Sequence, residues 1–190
     1  KWEFCREFME LEVDDMKVLG AIVGGGKTIK NIKQTSRLDK KEIKDIFTGN
    51  EIIFHFAAKH GGRGYINTHP ADICSNFSID HHVFEACNDT SVEKVIFSSS
   101  ACVYPIELQN KTGSNYELKE NDSNPENLDG FLSADVEYGW AKLMSEIQMK
   151  SFNKQYGLQG CPVRFVTAYG PREDVTHSII ALIYKAVEKM

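Results

Sequence analysis

From residue 41 onward the chain alternates two kinds of segment, and that alternation limits what it can fold into. KEIKDIF and the long stretch through Phe77 to Cys87 carry helical periodicity. EIIFHFAA and KVIFSSS are short, apolar, and rich in β-branched and aromatic residues. Runs of this second kind, unrelieved by alternate polar positions, are what strands buried on both faces look like. Strands separated by helices pair in parallel, because the connecting helix carries the chain back to the starting edge. The sequence therefore predicts an α/β domain in which IIFHFAA and VIFSSSACVY are neighbouring central strands of a parallel sheet with helices on its faces.

The pattern continues to the end. Tyr138 to Tyr156 reads as a helix closed by Gly157, and PVRFVTAYG as a further strand. Between Pro105 and Val136 lies a polar stretch too long for an ordinary strand-to-helix connection, expected to be a functional surface loop. Residues 1–40 show one strand-like segment, VLGAIV, and three glycines but no clear pattern afterwards, so the reading is one domain over 1–190 with 1–40 divergent or truncated. The net charge of −5 and scattered basic residues argue against a nucleic-acid partner. No apolar run approaches the ~20 residues of a membrane span, and a cytoplasmic location is expected. Five cysteines, odd in number and without metal-ligand spacing, are expected as free thiols in a reducing compartment; no metal is expected.

Tyr138 and Lys142 stand four residues apart, which on a helix puts both side chains on one face. An ammonium beside a phenol favours the phenolate, so the pair is expected to lower the Tyr138 pKa and let it act as acid or base. The same spacing also describes a core tyrosine beside a solvated lysine. SSSACVYP, at residues 98–105, falls at the carboxyl end of an expected central strand, where open α/β sheets bind ligands. Ser100 is positioned there to hydrogen-bond a substrate oxygen, or, more plainly, to cap the next turn.

FHFAAK at 54–59, FSSSACVYP at 97–105, YGWAK at 138–142 and VRFVTAYGPR at 163–172 occur in the order seen in the extended short-chain dehydrogenase/reductase family, which the chain resembles over about residues 38–190. The resemblance implies a Rossmann-like, NAD-binding sheet (NADP being the alternative) that is here incomplete. It implies that Tyr138 relays a proton at a sugar carbinol, Lys142 binds the nicotinamide ribose and Ser100 aids Tyr138. It further implies that Ala57, Ala58, Lys59 and Ser98 line the cofactor and that Asn76 supports the active-site region. The expected partner is a nucleotide-sugar, GDP- or UDP-linked. Relatives commonly pair through a four-helix bundle, so a homodimer is expected.

Within that family, Cys102 and the GGRG segment at 61–64 resemble the branch of GDP-mannose 3,5-epimerase-like and GDP-fucose synthase-like enzymes. The resemblance implies a cysteine acid/base at Cys102, two residues after Ser100 and so expected on the same side of the strand. THSIIAL puts His177 where the fucose synthases carry the partner histidine, whereas PREDVTHS lacks the lysine that the epimerases use. Cys102 as a small buried residue and His177 as an ordinary helix-start residue are the plainer alternatives.

One family hallmark is absent from the sequence. The Gly-x-x-Gly-x-x-Gly loop that holds the cofactor pyrophosphate at a helix N-terminus is not found. VGGGKT at 23–28 fails as a phosphate loop because its glycines are contiguous and residue 21 is Ala21 where a glycine is required. The family also continues beyond YGPR into a region that supplies most substrate contacts. The competing reading is therefore a non-catalytic fragment or degenerate relative with a structural or interaction role.

Overall fold

The computed structural model describes residues 40–90, 92–110, 116–123, 133–166 and 177–189; the expectations placed on residues 1–39, including VLGAIV and VGGGKT, lie outside these. Three strands, β1 (Ile52–His55), β2 (Lys94–Ser100) and β3 (Gln159–Phe165), form a parallel sheet in the order β1-β2-β3. Ile52 pairs with Lys94 and His55 with Phe97, so the two expected neighbours are neighbours. On the other edge Lys94 pairs with Gln159 and Ser100 with Phe165. β3 starts three residues before PVRF, and the TAYGPR end of the expected strand motif lies outside the described residues.

The helices are α1 (Lys40–Phe47), α2 (Arg63–Thr68), α3 (Pro70–Asp89), the single turn α4 (Ile106–Gln109), α5 (Val136–Tyr156) and α6 (Ser178–Val187). Helix α5 ends where the sequence says it must: Gly157 takes φ +81°, a left-handed conformation that a glycine adopts without a Cβ penalty. α3 starts at Pro70, whose missing N–H costs nothing in a first turn.

The period of two along each strand sorts its residues between two faces. Ile53, Val95 and Phe97 point into the main core with Ile43, Phe47, Val83, Phe84, Cys87 and Met149 from α1, α3 and α5. Phe54, Ile96 and Cys161 form a second buried cluster on the opposite face, with Ile52 and Val163 against it. Burial of each large apolar side chain stabilises the fold by about 1.5–3 kcal/mol. Cys74, Cys87 and Cys102 carry free thiols. Cys161, expected as a free thiol, is instead disulfide-bonded; Cys5 lies outside the described residues. No helix among the described residues is long and apolar enough to cross a membrane.

Candidate functional site

The site is built where β2 runs out. β2 stops at Ser100, and Ala101–Val103 turns as a short 3-10 helix whose N-cap is Ser100: its Oγ accepts a hydrogen bond from the Cys102 N–H at 3.2 Å. The strand alternation expected to put Cys102 on the Ser100 side therefore does not apply, because the chain has left the strand. Ser100 also serves as the cap, using its oxygen as acceptor while that bond leaves its own O–H available for donation. Ser98, two residues earlier, is half-buried within β2.

Helix α5 is then locked against this turn. The Asp135 N–H donates to the Cys102 carbonyl at 2.9 Å, and the Gly139 N–H to the Asp135 carbonyl at 2.9 Å. Gly139 is a requirement of this crossing, since a Cβ there would fall on the Cys102 carbonyl oxygen, inside any permissible contact. Gly139→Ala is therefore expected to push α5 from the Ser100–Cys102 turn and cost about 1–3 kcal/mol, the usual penalty of overpacking, read as a lowered chemical-denaturation midpoint. Val136 enters the helix at φ +47°, a conformation unusual for a β-branched residue. Asp135 is held from the other side as well: Arg63 of the GGRG segment donates to it through both Nη atoms, at 2.5 and 2.9 Å. This fork ties the start of α2 to the head of α5.

Tyr138 and Lys142 occupy the first turns of α5. Lys142 is 1% exposed, which removes the solvated-lysine alternative. Its Nζ has no hydrogen-bond partner among the described residues and lies 4.6 Å from the centre of the Phe97 ring and 5.8 Å from that of Tyr138. Burial lowers its pKa, and the Asp80 carboxylate partly offsets that. Tyr138 departs from expectation in sign: burial, then the negative charges of Cys102 and Asp80, push its pKa up to about 12. The ammonium sits over the aromatic faces and is itself desolvated, so it does not drive the phenol toward phenolate.

The loop after β1 brings the remaining expected residues to the same end of the sheet. Ala57 is buried, Ala58 half-buried and the Lys59 side chain exposed. Asn76 on α3 clamps this loop with both of its amide atoms: Oδ1 accepts from the Lys59 N–H at 2.6 Å and Nδ2 donates to the Lys59 carbonyl at 2.9 Å. His177 precedes α6 without a side-chain capping bond. Its ring centre is 6.5 Å from that of His60, so the start of α6 adjoins the loop after β1.

Three buried residues that sequence reasoning passed over meet beside Phe97, the ring under Lys142 Nζ. His55 on β1 places Nε2 2.7 Å from Asp80 Oδ1, and the Ser145 hydroxyl donates to Asp80 Oδ2 at 2.6 Å. His55, Asp80 and Ser145 are all fully buried. The available signal was a carboxylate among Asn76, Ile79, Val83 and Phe84, on the core-facing stripe of an amphipathic helix.

The family model described as NAD dependent epimerase/dehydratase family matches residues 10–190. The chain is 34% identical over 124 residues to GDP-mannose 3,5-epimerase of Arabidopsis thaliana, covering 65% of this chain and 31% of that protein. It is 31% identical over 153 residues to GDP-L-fucose synthase of Escherichia coli (strain K12), covering 77% of this chain and 45% of that one. Among solved structures it resembles UDP-N-acetylglucosamine 4-epimerase from Methanobrevibacter ruminantium M1, solved with UDP-N-acetylmuramic acid. That match has 26% identity and a TM-score of 0.59 over 76% of this chain and 41% of the other. The chain thus spans less than half the length of each of these proteins.

Proposed function

The chain belongs to the NAD dependent epimerase/dehydratase family, and from that premise we propose that it acts on a nucleotide-sugar by transient oxidation at the sugar C4. The observation that carries this reading is Lys142 Nζ, a buried cation without a hydrogen-bond partner among the described residues, one helical turn from Tyr138 and over the Phe97 ring of the strand that ends at Ser100. Burying an ammonium unpaired is costly. The two hydroxyls of a nicotinamide ribose would supply the acceptors that this cation lacks, so the residues present fit that end of the cofactor.

NAD, when bound, would accept and return a hydride at the sugar carbon. The residues of the chain do the rest. Lys142 donates to the ribose and fixes its position. Tyr138 exchanges the C4 hydroxyl proton, and Ser100 donates its O–H to the same substrate oxygen. Ala57, Ala58, Lys59 and Ser98 line the cofactor, in a loop held by Asn76. Oxidation at C4 acidifies the adjacent C–H bonds. Cys102 and His177 then serve as acid and base for inversion at C3 or C5, which requires them to reach opposite faces of the sugar ring.

The outer side of α5 exposes Trp140 and Met144. We propose that this side, with the neighbouring surface of α3, pairs with a second copy. A cytoplasmic location is part of the same proposal. The free thiols of Cys74, Cys87 and Cys102 fit a reducing compartment, and the disulfide at Cys161 is the observation against it.

The test is a titration of the 190-residue chain with NAD and with NADP, read by tryptophan fluorescence and thermal shift. One dinucleotide is expected to stabilise the chain saturably. Lys142→Met should weaken that binding by about 10- to 100-fold, the equivalent of a lost charged hydrogen bond. Absence of binding at millimolar dinucleotide would overturn the reading in favour of a non-catalytic remnant.

A further inference from the structure

Lys142 Nζ has no hydrogen-bond partner among the described residues, yet a carboxylate whose charge acts on it is built into the same core. Asp80 sits mid-way along α3 with no exposed surface. It is fixed from three elements: its own helix, His55 Nε2 of β1 at 2.7 Å, and the Ser145 hydroxyl of α5 at 2.6 Å. Ser145 follows Lys142 by three residues on the same helix, so the bond that fixes Asp80 also fixes the α5 turn bearing Lys142. The rings between them are continuous. Phe97 of β2 lies under Lys142 Nζ at 4.6 Å and against the His55 ring at 5.5 Å.

Two alternatives account for less. A carboxylate placed here only to join α3, β1 and α5 would gain little, because an apolar residue of similar volume usually serves stability as well or better. The other buried carboxylates among the described residues are already matched: Arg63 forks onto Asp135, and Arg164 forks onto Glu146, to which the Ser99 hydroxyl also donates. Asp80 has neutral or titratable neighbours in Ser145 and His55. Asp80 of α3 is the charge that acts on Lys142 and Tyr138 of α5 the titratable ring beside it, while His55 of β1 is bonded to Asp80 and Cys102 of the 3-10 turn acts on Tyr138.

We infer that Asp80, oriented by His55 and Ser145, is a positioning residue that serves as the buried counter-ion of Lys142 and thereby sets the charge state of the Lys142–Tyr138 pair. The inference rests on the reading of those two residues as the site, but its physical content does not depend on activity. Asp80 favours the charged ammonium and disfavours the phenolate, the same direction for both pKa values. Lys142 is thus kept cationic for ribose binding.

The test is a pH titration of the chain labelled with 13Cε-lysine and 13Cγ-aspartate, the Lys142 signal being assigned by its absence in Lys142→Met. In Asp80→Asn the Lys142 midpoint is expected to move to lower pH while the surface lysines in the same spectra stay in place. An unmoved Lys142 midpoint in folded Asp80→Asn would overturn the inference. If Asp80→Asn does not fold, linkage supplies the reciprocal measurement. In Lys142→Met, the Asp80 carboxyl should take up its proton at higher pH than in the unaltered chain, and an unchanged Asp80 titration would equally overturn the inference. Dinucleotide binding separates the two proposals: coupling without NAD binding refutes the cofactor reading alone, and NAD binding without coupling refutes the counter-ion alone.

Discussion

Replacing Tyr138 by phenylalanine is expected to lower turnover of a nucleotide-sugar substrate by about 10²- to 10⁴-fold, the usual contribution of a positioned acid/base, while NAD binding survives. The substitution removes one oxygen and keeps the ring that lies beside Lys142 Nζ at 5.8 Å. Cofactor affinity, which the reading assigns to Lys142, should therefore stay close to that of the unaltered chain. A variant that loses affinity and turnover together would place Tyr138 in binding only, and one that retains turnover would remove it from the chemistry.

The same substitution has a signature in stability. The Tyr138 pKa is raised in the folded state to about 12, against about 10 for an unburied phenol. A group whose folded pKa is raised contributes stability that is complete below the unfolded value and is lost as pH rises through the folded value. The unaltered chain should thus lose denaturation free energy between pH 10 and about 12 more steeply than Tyr138→Phe. Parallel pH profiles for the two proteins would show that the phenol is not buried in its neutral form.

Arg164→Ala is expected to be the most destabilising of the substitutions considered, by about 3–5 kcal/mol, because it leaves a buried carboxylate without its cation. Glu146 is 5% exposed. Its Oε1 accepts from Arg164 Nε at 2.9 Å and from the Ser99 hydroxyl at 2.5 Å, and its Oε2 accepts from Arg164 Nη2 at 2.7 Å. Arg164 also donates to the Glu120 carbonyl at 2.9 Å and stacks 5.0 Å from the Tyr104 ring centre. One guanidinium therefore joins β3, α5 and the segment around Glu120. At about 2–4 °C per kcal/mol for a chain of this size, the melting temperature should fall by about 6–20 °C. Because the cost is that of an orphaned charge, Arg164→Met combined with Glu146→Leu should recover most of it. A single Arg164→Ala that costs under about 1 kcal/mol would mean the pair behaves as a screened surface bridge.

The local order of the chain was legible because it depends on local properties. IIFHFAA and VIFSSSACVY read as buried strands and Gly157 as a helix end because the physical reasons act within a few residues, although the strands found, Ile52–His55 and Lys94–Ser100, stop short of the ends of those runs. The i, i+4 spacing likewise suffices to place Tyr138 and Lys142 on one face. Strand periodicity failed at Cys102 for a local reason too, since the Ser100 cap converts the strand end into a 3-10 turn.

By itself, then, the sequence determined the parallel α/β order and the family resemblance and singled out Ser100, Tyr138 and Lys142 as candidates, because hydrophobic period, turn chemistry and helical spacing are properties of neighbouring residues. Only the tertiary structure decided what surrounds that set. Residues 55, 80 and 145 meet in one buried cluster, Arg63 reaches Asp135 across 72 positions, and the Tyr138 pKa moves upward where the pair alone predicted downward. The physical reason is that desolvation and the pull of nearby charges depend on which distant segments are packed together, and no spacing along the chain encodes that distance.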